Sequence, residues 1–262
     1  MSRSMFLGAF LVSGIIWTSE VAAQPVPTDR VFAHVDVGRR PLSRTFQGTT
    51  VFTVYSEQGH FEADYQIESG KSFESGFSFL VWRNLALGLG TSYFGSASPA
   101  FLDFALPHPV FFDSPRIGTG VANGLKRRAL WVHGRAVWMM QLADWLIVSI
   151  SGGPSLITAR QTLVSSIQYA ETEFPFEQVT FTGHAVDEQS GVTLGLNTGI
   201  DIDAFVLSKI PGLRDIEVME HIGIGLLLRY MRGAVNMKVG DAAPVDVDFG
   251  GLQLSTGLRI RF

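Results

Sequence analysis

Hydrophobic and polar residues alternate in twos along most of this chain, most cleanly at its end. Residues 249–262 read FGGLQLSTGLRIRF. Leu252, Leu254, Thr256, Leu258, Ile260 and Phe262 share one face; Gly251, Gln253, Ser255, Gly257, Arg259 and Arg261 share the other. That period marks a strand with one apolar and one polar side. A first strand is predicted over 31–40, with Val31, Ala33, Val35 and Val37 opposed to His34, Asp36, Gly38 and Arg40. Pro41 interrupts it, because proline has no N–H to give to a ladder. The chain is expected to continue as strand over 45–56, turn at 57–60 and return through 61–82. There Phe77, Phe79 and Val81 alternate with Gly76, Ser78 and Leu80, while Trp82 falls out of phase. After Arg83-Asn84, Leu85, Leu87, Leu89, Thr91 and Tyr93 alternate with Ala86, Gly88, Gly90 and Ser92. Over 129–141, Leu130, Val132, Ala136, Trp138 and Met140 read as outward and Trp131, His133, Arg135 and Gln141 as inward. A strand over 145–163 follows. Then Val192, Leu194, Leu196, Thr198, Ile200 and Ile202 oppose Thr193, Gly195, Asn197, Gly199, Asp201 and Asp203, and a strand over 221–238 opposes Ile222, Ile224, Leu226, Leu228 and Tyr230 to Gly223, Gly225, Leu227 and Arg229.

Eight strands result, joined by connections that alternate between short or medium (83–84, 142–144, 207–218) and long (41–65, 96–128, 164–188, 239–248). A tilted strand of about 9–11 residues crosses a bilayer. Short turns at one end and long loops at the other are the layout of an outer-membrane barrel. The expected fold is all-β: an eight-stranded antiparallel up-and-down transmembrane β-barrel. Pairing the last strand with the first removes both edges. Eight strands leave an interior that side chains can fill, so an open aqueous channel is not expected. The rival fold, a soluble lipocalin-like barrel, would need polar outward faces, and this chain puts leucine and isoleucine there.

The N-terminus reads MSRSMFLGAFLVSGIIWTSEVAAQ. Arg3 precedes an apolar core too short to span a bilayer as a helix, and Val21-Ala22-Ala23 is a small-residue cleavage signature. Residues 1–23 are therefore expected to be a signal peptide cut near Ala23/Gln24, and 24–262 the barrel domain. Net charge is −4 and stays there once Arg3 and Glu20 are removed, which argues against nucleic-acid binding. Hydrophobic residues make up 46% of the chain without any later run long enough for a membrane helix, as alternating strands produce. There is no cysteine, hence no lipid anchor on a thiol and no disulfide framework.

The ending resembles the C-terminal strand of bacterial outer-membrane β-barrels: a terminal Phe262 preceded by Ile260 and Leu258 at every second position. The whole mature chain resembles small barrels of the OmpA, OmpX and OmpW kind. The resemblance implies an outer-membrane location and an assembly signal at Leu258, Ile260 and Phe262. It also implies contacts with membrane lipid and, during biogenesis, with the barrel-assembly machinery and periplasmic chaperones. A monomer is expected. The inward charges Arg135, Asp201, Asp203, Arg229, Arg259 and Arg261 are read as a structural network, since buried charges need partners. Asp201 and Asp203 are expected to pair with Arg229 and Arg259. Trp82, Tyr93, Trp138, Trp145, Tyr230 and Phe262 read as an interfacial girdle. No enzyme motif stands out: Gly118-Thr119-Gly120 lacks the third glycine of a dinucleotide loop. Catalysis is not expected, nor any cofactor or metal. His108 with Ser114, or His184 with Ser190, are the pairs a lipid-modifying barrel enzyme would have to use. Asp241, Asp246 and Asp248 form an acidic loop. The expected role is anchoring or loop-mediated binding, with narrow transport of small apolar solutes as the alternative.

Overall fold

The computed structural model describes residues 27, 29–41, 43–210, 212, 216–238 and 245–262. The signal peptide, the turn residue Pro211 and most of the acidic loop, Asp241 included, lie outside the described residues. Among the described residues twelve strands follow one another: β1 (Val31–Arg40), β2 (Arg44–Val54), β3 (Glu57–Ile67), β4 (Gly70–Trp82), β5 (Leu85–Leu106), β6 (Arg116–Ala143), β7 (Leu146–Glu171), β8 (Val179–Ala204), β9 (Ile222–Arg232), β10 (Ala234–Met237), β11 (Val245–Asp248) and β12 (Gly251–Arg261). Eight of them, β1, β4, β5, β6, β7, β8, β9 and β12, close into an antiparallel ring. The seam pairs β1 with β12, Phe32 opposite Arg261 through Arg39 opposite Leu254.

Two expectations about the connections change. The return through 61–82 is two strands, β3 and β4, split after Ile67. The stretches 96–128 and 164–188 are mostly strand rather than loop: β5 to β8 run 22, 28, 26 and 26 residues, well beyond what a bilayer needs. Their outer halves, with the β2–β3 hairpin laid against β5, form a β-platform above the ring. At Gly124, whose φ is +74°, an extra residue enters β6 and its inward parity switches from even to odd positions.

The interior is layered. At the end of the ring that carries the short turns, the periplasmic one in this layout, Phe32, Ala86, Val137, Met139, Ile147 and Phe205 form an apolar floor. A charged layer lies above it. Next come Trp131, Ile157, Met231, Val235, Val247 and Phe249. The platform has its own core of Phe61, Tyr65, Leu102, Phe104, Leu106, Leu163 and Val164. Each such fully buried side chain contributes roughly 1.5–3 kcal/mol, which accounts for an ordered platform where loops were expected.

Outside, the ring carries an apolar belt that includes Val35, Phe77, Leu87, Val132, Trp138, Ile150, Leu194, Ile224, Leu254 and Leu258, all exposed on the isolated chain. Hydroxyls within the belt find partners in the protein: Ser75 with Thr91 at 3.1 Å, Thr198 to the Ser151 carbonyl at 3.1 Å and Thr256 to the Gly225 carbonyl at 2.9 Å. Lipid would offer them none. Trp82 points outward beside Val81 because the β4–β5 register shifts between Leu80 and Trp82, which explains its lost phase.

Candidate functional site

Two clusters divide the charged layer. In the lower one Arg259 faces three carboxylates: Asp36 at 2.7 Å, Asp201 at 3.1 Å and Asp203. In the upper one Glu74 faces two arginines, Arg229 and, at 3.6 Å, Arg135, with His34 also at 3.6 Å. The wall makes room for these guanidinium groups with glycine. A Cβ on Gly225 would lie 2.2 Å from Arg259 Nε, and one on Gly76 would lie 2.4 Å from Arg135 Nη2. Arg40 closes the layer from above. It donates to the Phe249 carbonyl at 3.0 Å and lies over the Phe94 ring at 4.6 Å. A void of about 30 Å³ remains below, lined in part by His34, Arg135, Asp201 and Arg259. That is room for a water or two, not a channel.

The sequence candidates are thus placed as follows. Arg135, Asp201, Asp203, Arg229 and Arg259 all sit in this layer, but both aspartates turn to Arg259, and Arg229 turns to Glu74 instead. Arg261 lies apart at the periplasmic mouth, 3.3 Å from Asp29 and over the Phe205 ring. Leu258 and Ile260 face outward. Phe262 is tied to β1 through its backbone: its N–H donates to the Val31 carbonyl at 2.9 Å. Glu74 was missed. Its parity with Gly76 and Ser78 was the available signal, hidden because 61–82 was read as one strand. Of the acidic-loop residues, Asp246 accepts from Asn236 and Asp248 pairs with Arg44.

The proposed histidine–serine pairs do not form. His108 is spent on backbone: Nδ1 accepts from the Val110 and Phe111 N–H groups at 3.1 Å each, and Nε2 donates to the Pro175 carbonyl at 2.9 Å. The His184 ring stacks on Phe181. A different pair meets in the lumen, His133 Nδ1 and Ser155 Oγ at 2.8 Å. Asn197 donates to that serine at 2.9 Å rather than engaging the far nitrogen of the imidazole, as a triad would require.

The His108 contacts belong to a second site, the outermost tip of the platform. Two loops meet there, 107–115 between β5 and β6 and 172–178 between β7 and β8. Arg116, 6% exposed, fastens them, donating to the Phe176 carbonyl at 3.0 Å, the Pro107 carbonyl at 2.8 Å and Glu171 at 2.6 Å. Tyr55 from the β2–β3 turn donates to Glu171 at 3.0 Å, and the Asp113 N–H donates to Glu57 at 3.0 Å. Left-handed backbone at Asp113 (φ 55°) and Phe176 (φ 66°) sharpens both turns. The fastened loops project apolar side chains into solvent: Phe112 is 76% exposed and Phe174 75%, with Val110 and Phe111 beside them. Around them stand Glu57, Asp113, Glu171, Glu173 and Glu177, against the buried Arg116.

A closed antiparallel ring, apolar outside over a bilayer's thickness and charged inside, defines a transmembrane β-barrel of the small outer-membrane kind. No protein-family model matches the chain, and no curated protein sequence matches it. Among solved structures it is similar to Ail, the attachment invasion locus protein of Yersinia pestis, in complex with the heparin analogue sucrose octasulfate. The identity is 8%, the match covers 88% of this chain and 99% of that one, and the TM-score is 0.35. It is also similar to the outer-membrane protease OmpT of Escherichia coli, at 7% identity, 92% and 99% coverage and a TM-score of 0.41. At these values neither likeness bears on activity. The expectation that the chain is not an enzyme is nevertheless corrected: one of these barrels is a protease, so an outer-membrane barrel architecture does not by itself exclude catalysis.

Proposed function

We propose that this outer-membrane barrel is a sealed anchor for a rigid external platform, and that the platform's tip binds a protein partner. The observation that carries this reading is the tip itself. Exposed aromatic side chains, held by a buried arginine and a fully engaged histidine, are the ordered apolar anchor that interfaces are built around. The carboxylates around the tip select the partner by charge: an apolar pocket rimmed by lysine and arginine. Order before binding lowers the entropic cost of association.

The test is photo-crosslinking on intact cells carrying the full chain, with a photoreactive residue at position 112 or, as control, at the outward platform position 121. A discrete adduct from 112 and none from 121 supports the reading. Its loss in a Phe174→Ser background would place Phe174 in the same contact. Equal adducts from both positions, or none from 112, would overturn it. Stepwise single-channel conductance in planar bilayers would favour transport instead.

A further inference from the structure

The outer surface of the ring changes character along one register line. Arg39 opposes Lys71, Lys71 opposes Gly95, Gly95 opposes Arg128, Arg128 opposes Arg160, and Arg160 opposes Ser190. The four basic side chains in this row are all exposed. One same-face step toward the periplasm, the opposed residues are Val37, Phe73, Tyr93, Leu130, Thr158 and Val192. The first charged residue outward of the belt thus falls in the same row on β1, β4, β6 and β7. This is the external rim, because the short turns after β4 and β6 lie at the opposite end and the long extensions of β5 to β8 rise beyond this row.

Like charges directly across a strand pair are destabilising, and Arg128 and Arg160 are placed that way. Lys126 lies two residues further out on the same face as Arg128. Among the described residues the only acid that offsets the row is Glu188, 3.4 Å from Arg160, in a pair that is half exposed and hence weak. The space between the cations is shaped. A cleft of about 250 Å³ is lined by Tyr93, Arg128, Leu130, Thr158 and Arg160. Gly95, with no side chain, leaves the row open between Lys71 and Arg128 above the Tyr93 hydroxyl.

We infer that the row Lys71, Arg128, Arg160, with Lys126, is a receptor for phosphate groups on the headgroup of an anionic lipid seated in the external leaflet. Guanidinium forks match phosphate oxygens. From Lys71 to Arg160 is three strand spacings, about 14 Å, enough for more than one phosphate. The floor of the cleft distinguishes a lipid from a free anion. Tyr93, Leu130 and Thr158 run straight into Val132 and Leu156 of the belt, where the acyl chains of the same molecule would lie. A soluble phosphate would gain the charge contacts and none of the apolar ones.

The test uses the full mature barrel in detergent micelles and native mass spectrometry, with three probes: phosphatidic acid, phosphatidylcholine and glycerol 3-phosphate. Wild type should retain phosphatidic acid over phosphatidylcholine, and high salt should erase the difference. Arg128→Ser and Arg160→Ser should each weaken phosphatidic acid binding roughly tenfold. Lys209→Ser, at the periplasmic end, should leave it unchanged. Glycerol 3-phosphate held as well as phosphatidic acid would overturn the lipid and leave a soluble anion site. No preference between the two lipids in wild type would overturn the site altogether, and that measurement stands even if a variant fails to fold.

Discussion

Glu74→Gln is the sharpest perturbation of the lumen. Glu74 is fully buried, and it is the carboxylate shared by Arg229, Arg135 and His34. The amide keeps the shape and removes the charge, leaving two buried guanidinium groups without a counter-ion. Removing one partner of a buried pair costs about 3–5 kcal/mol. For a chain of this size that is a fall in melting temperature of roughly 6–20 °C. Asp201→Asn is the internal control. Arg259 would keep Asp36 and Asp203, and crowding among the carboxylates would ease, so stability should stay within about 1 kcal/mol of wild type. The assay is urea or thermal unfolding of the detergent-folded barrel, followed by heat-modifiable gel mobility. Equal losses in the two variants would refute the division of the layer into cation-rich and anion-rich clusters, and so would an unchanged Glu74→Gln.

At the seam, a Cβ on Gly257 would meet the Val35 carbonyl oxygen at 1.9 Å and Asp36 Cα at 2.7 Å. Backbone cannot yield as a side chain can, so Gly257→Ala should abolish the compact band on unheated gels. Arg229→Leu removes the other half of the Glu74 pair and should also lower the melting temperature; no change would mean that Arg229 does not face the lumen. His108→Ala should expose 107–115 and 172–178 to limited proteolysis while the barrel's melting temperature holds, since the tip and the ring share no core. In the platform, burial pushes the Tyr65 phenol up to about 12. Below about pH 10 both folded and unfolded chains keep that proton, and its contribution is fully present. Between pH 10 and 12 only the unfolded chain gives it up, so platform stability should fall by on the order of 2–3 kcal/mol. Tyr65→Phe should flatten that slope in near-UV circular dichroism, at the cost of the bond from the Val164 N–H at 3.0 Å.

Inside the membrane the sequence was readable because two solvents impose one rule: apolar toward lipid, polar toward the lumen. The outward half of the rule holds along the ring strands apart from a few hydroxyls, whereas inside the polar layer lies between apolar ones, and the outward alternation is what makes the fold class legible. Above the membrane the rule inverts. On β5 the apolar positions Leu87, Leu89 and Tyr93 point out, whereas Ala100, Leu102, Phe104 and Leu106 point in. The hydrophobic phase slips by one residue while the strand runs on, and Pro99 sits at the slip. A reader following the lipid rule sees the pattern end and assigns a loop. On β6 the cause is different: the extra residue at Gly124 switches the inward parity itself. The lumen partners were harder for another reason. Sequence adjacency suggested Asp201 with Arg229, but eight strands bring opposite walls within reach, and Glu74 arrives from across the ring. The tip depends on backbone acceptors such as the Pro175 and Phe176 carbonyls, which no side-chain pattern encodes.

The run of β5 to β8 from periplasmic turns to outer tip, bulged in places but never ended, has a mechanical meaning. The β7–β8 ladder alone extends from Leu146 opposite Ala204 to Glu171 opposite Val179. If the tip holds a partner as proposed, a pull on it is directed along these strands, so the rungs share the load in shear rather than parting one at a time. Among the described residues β5 to β8 run from ring to tip as single strands, so such tension would pass directly to the barrel wall.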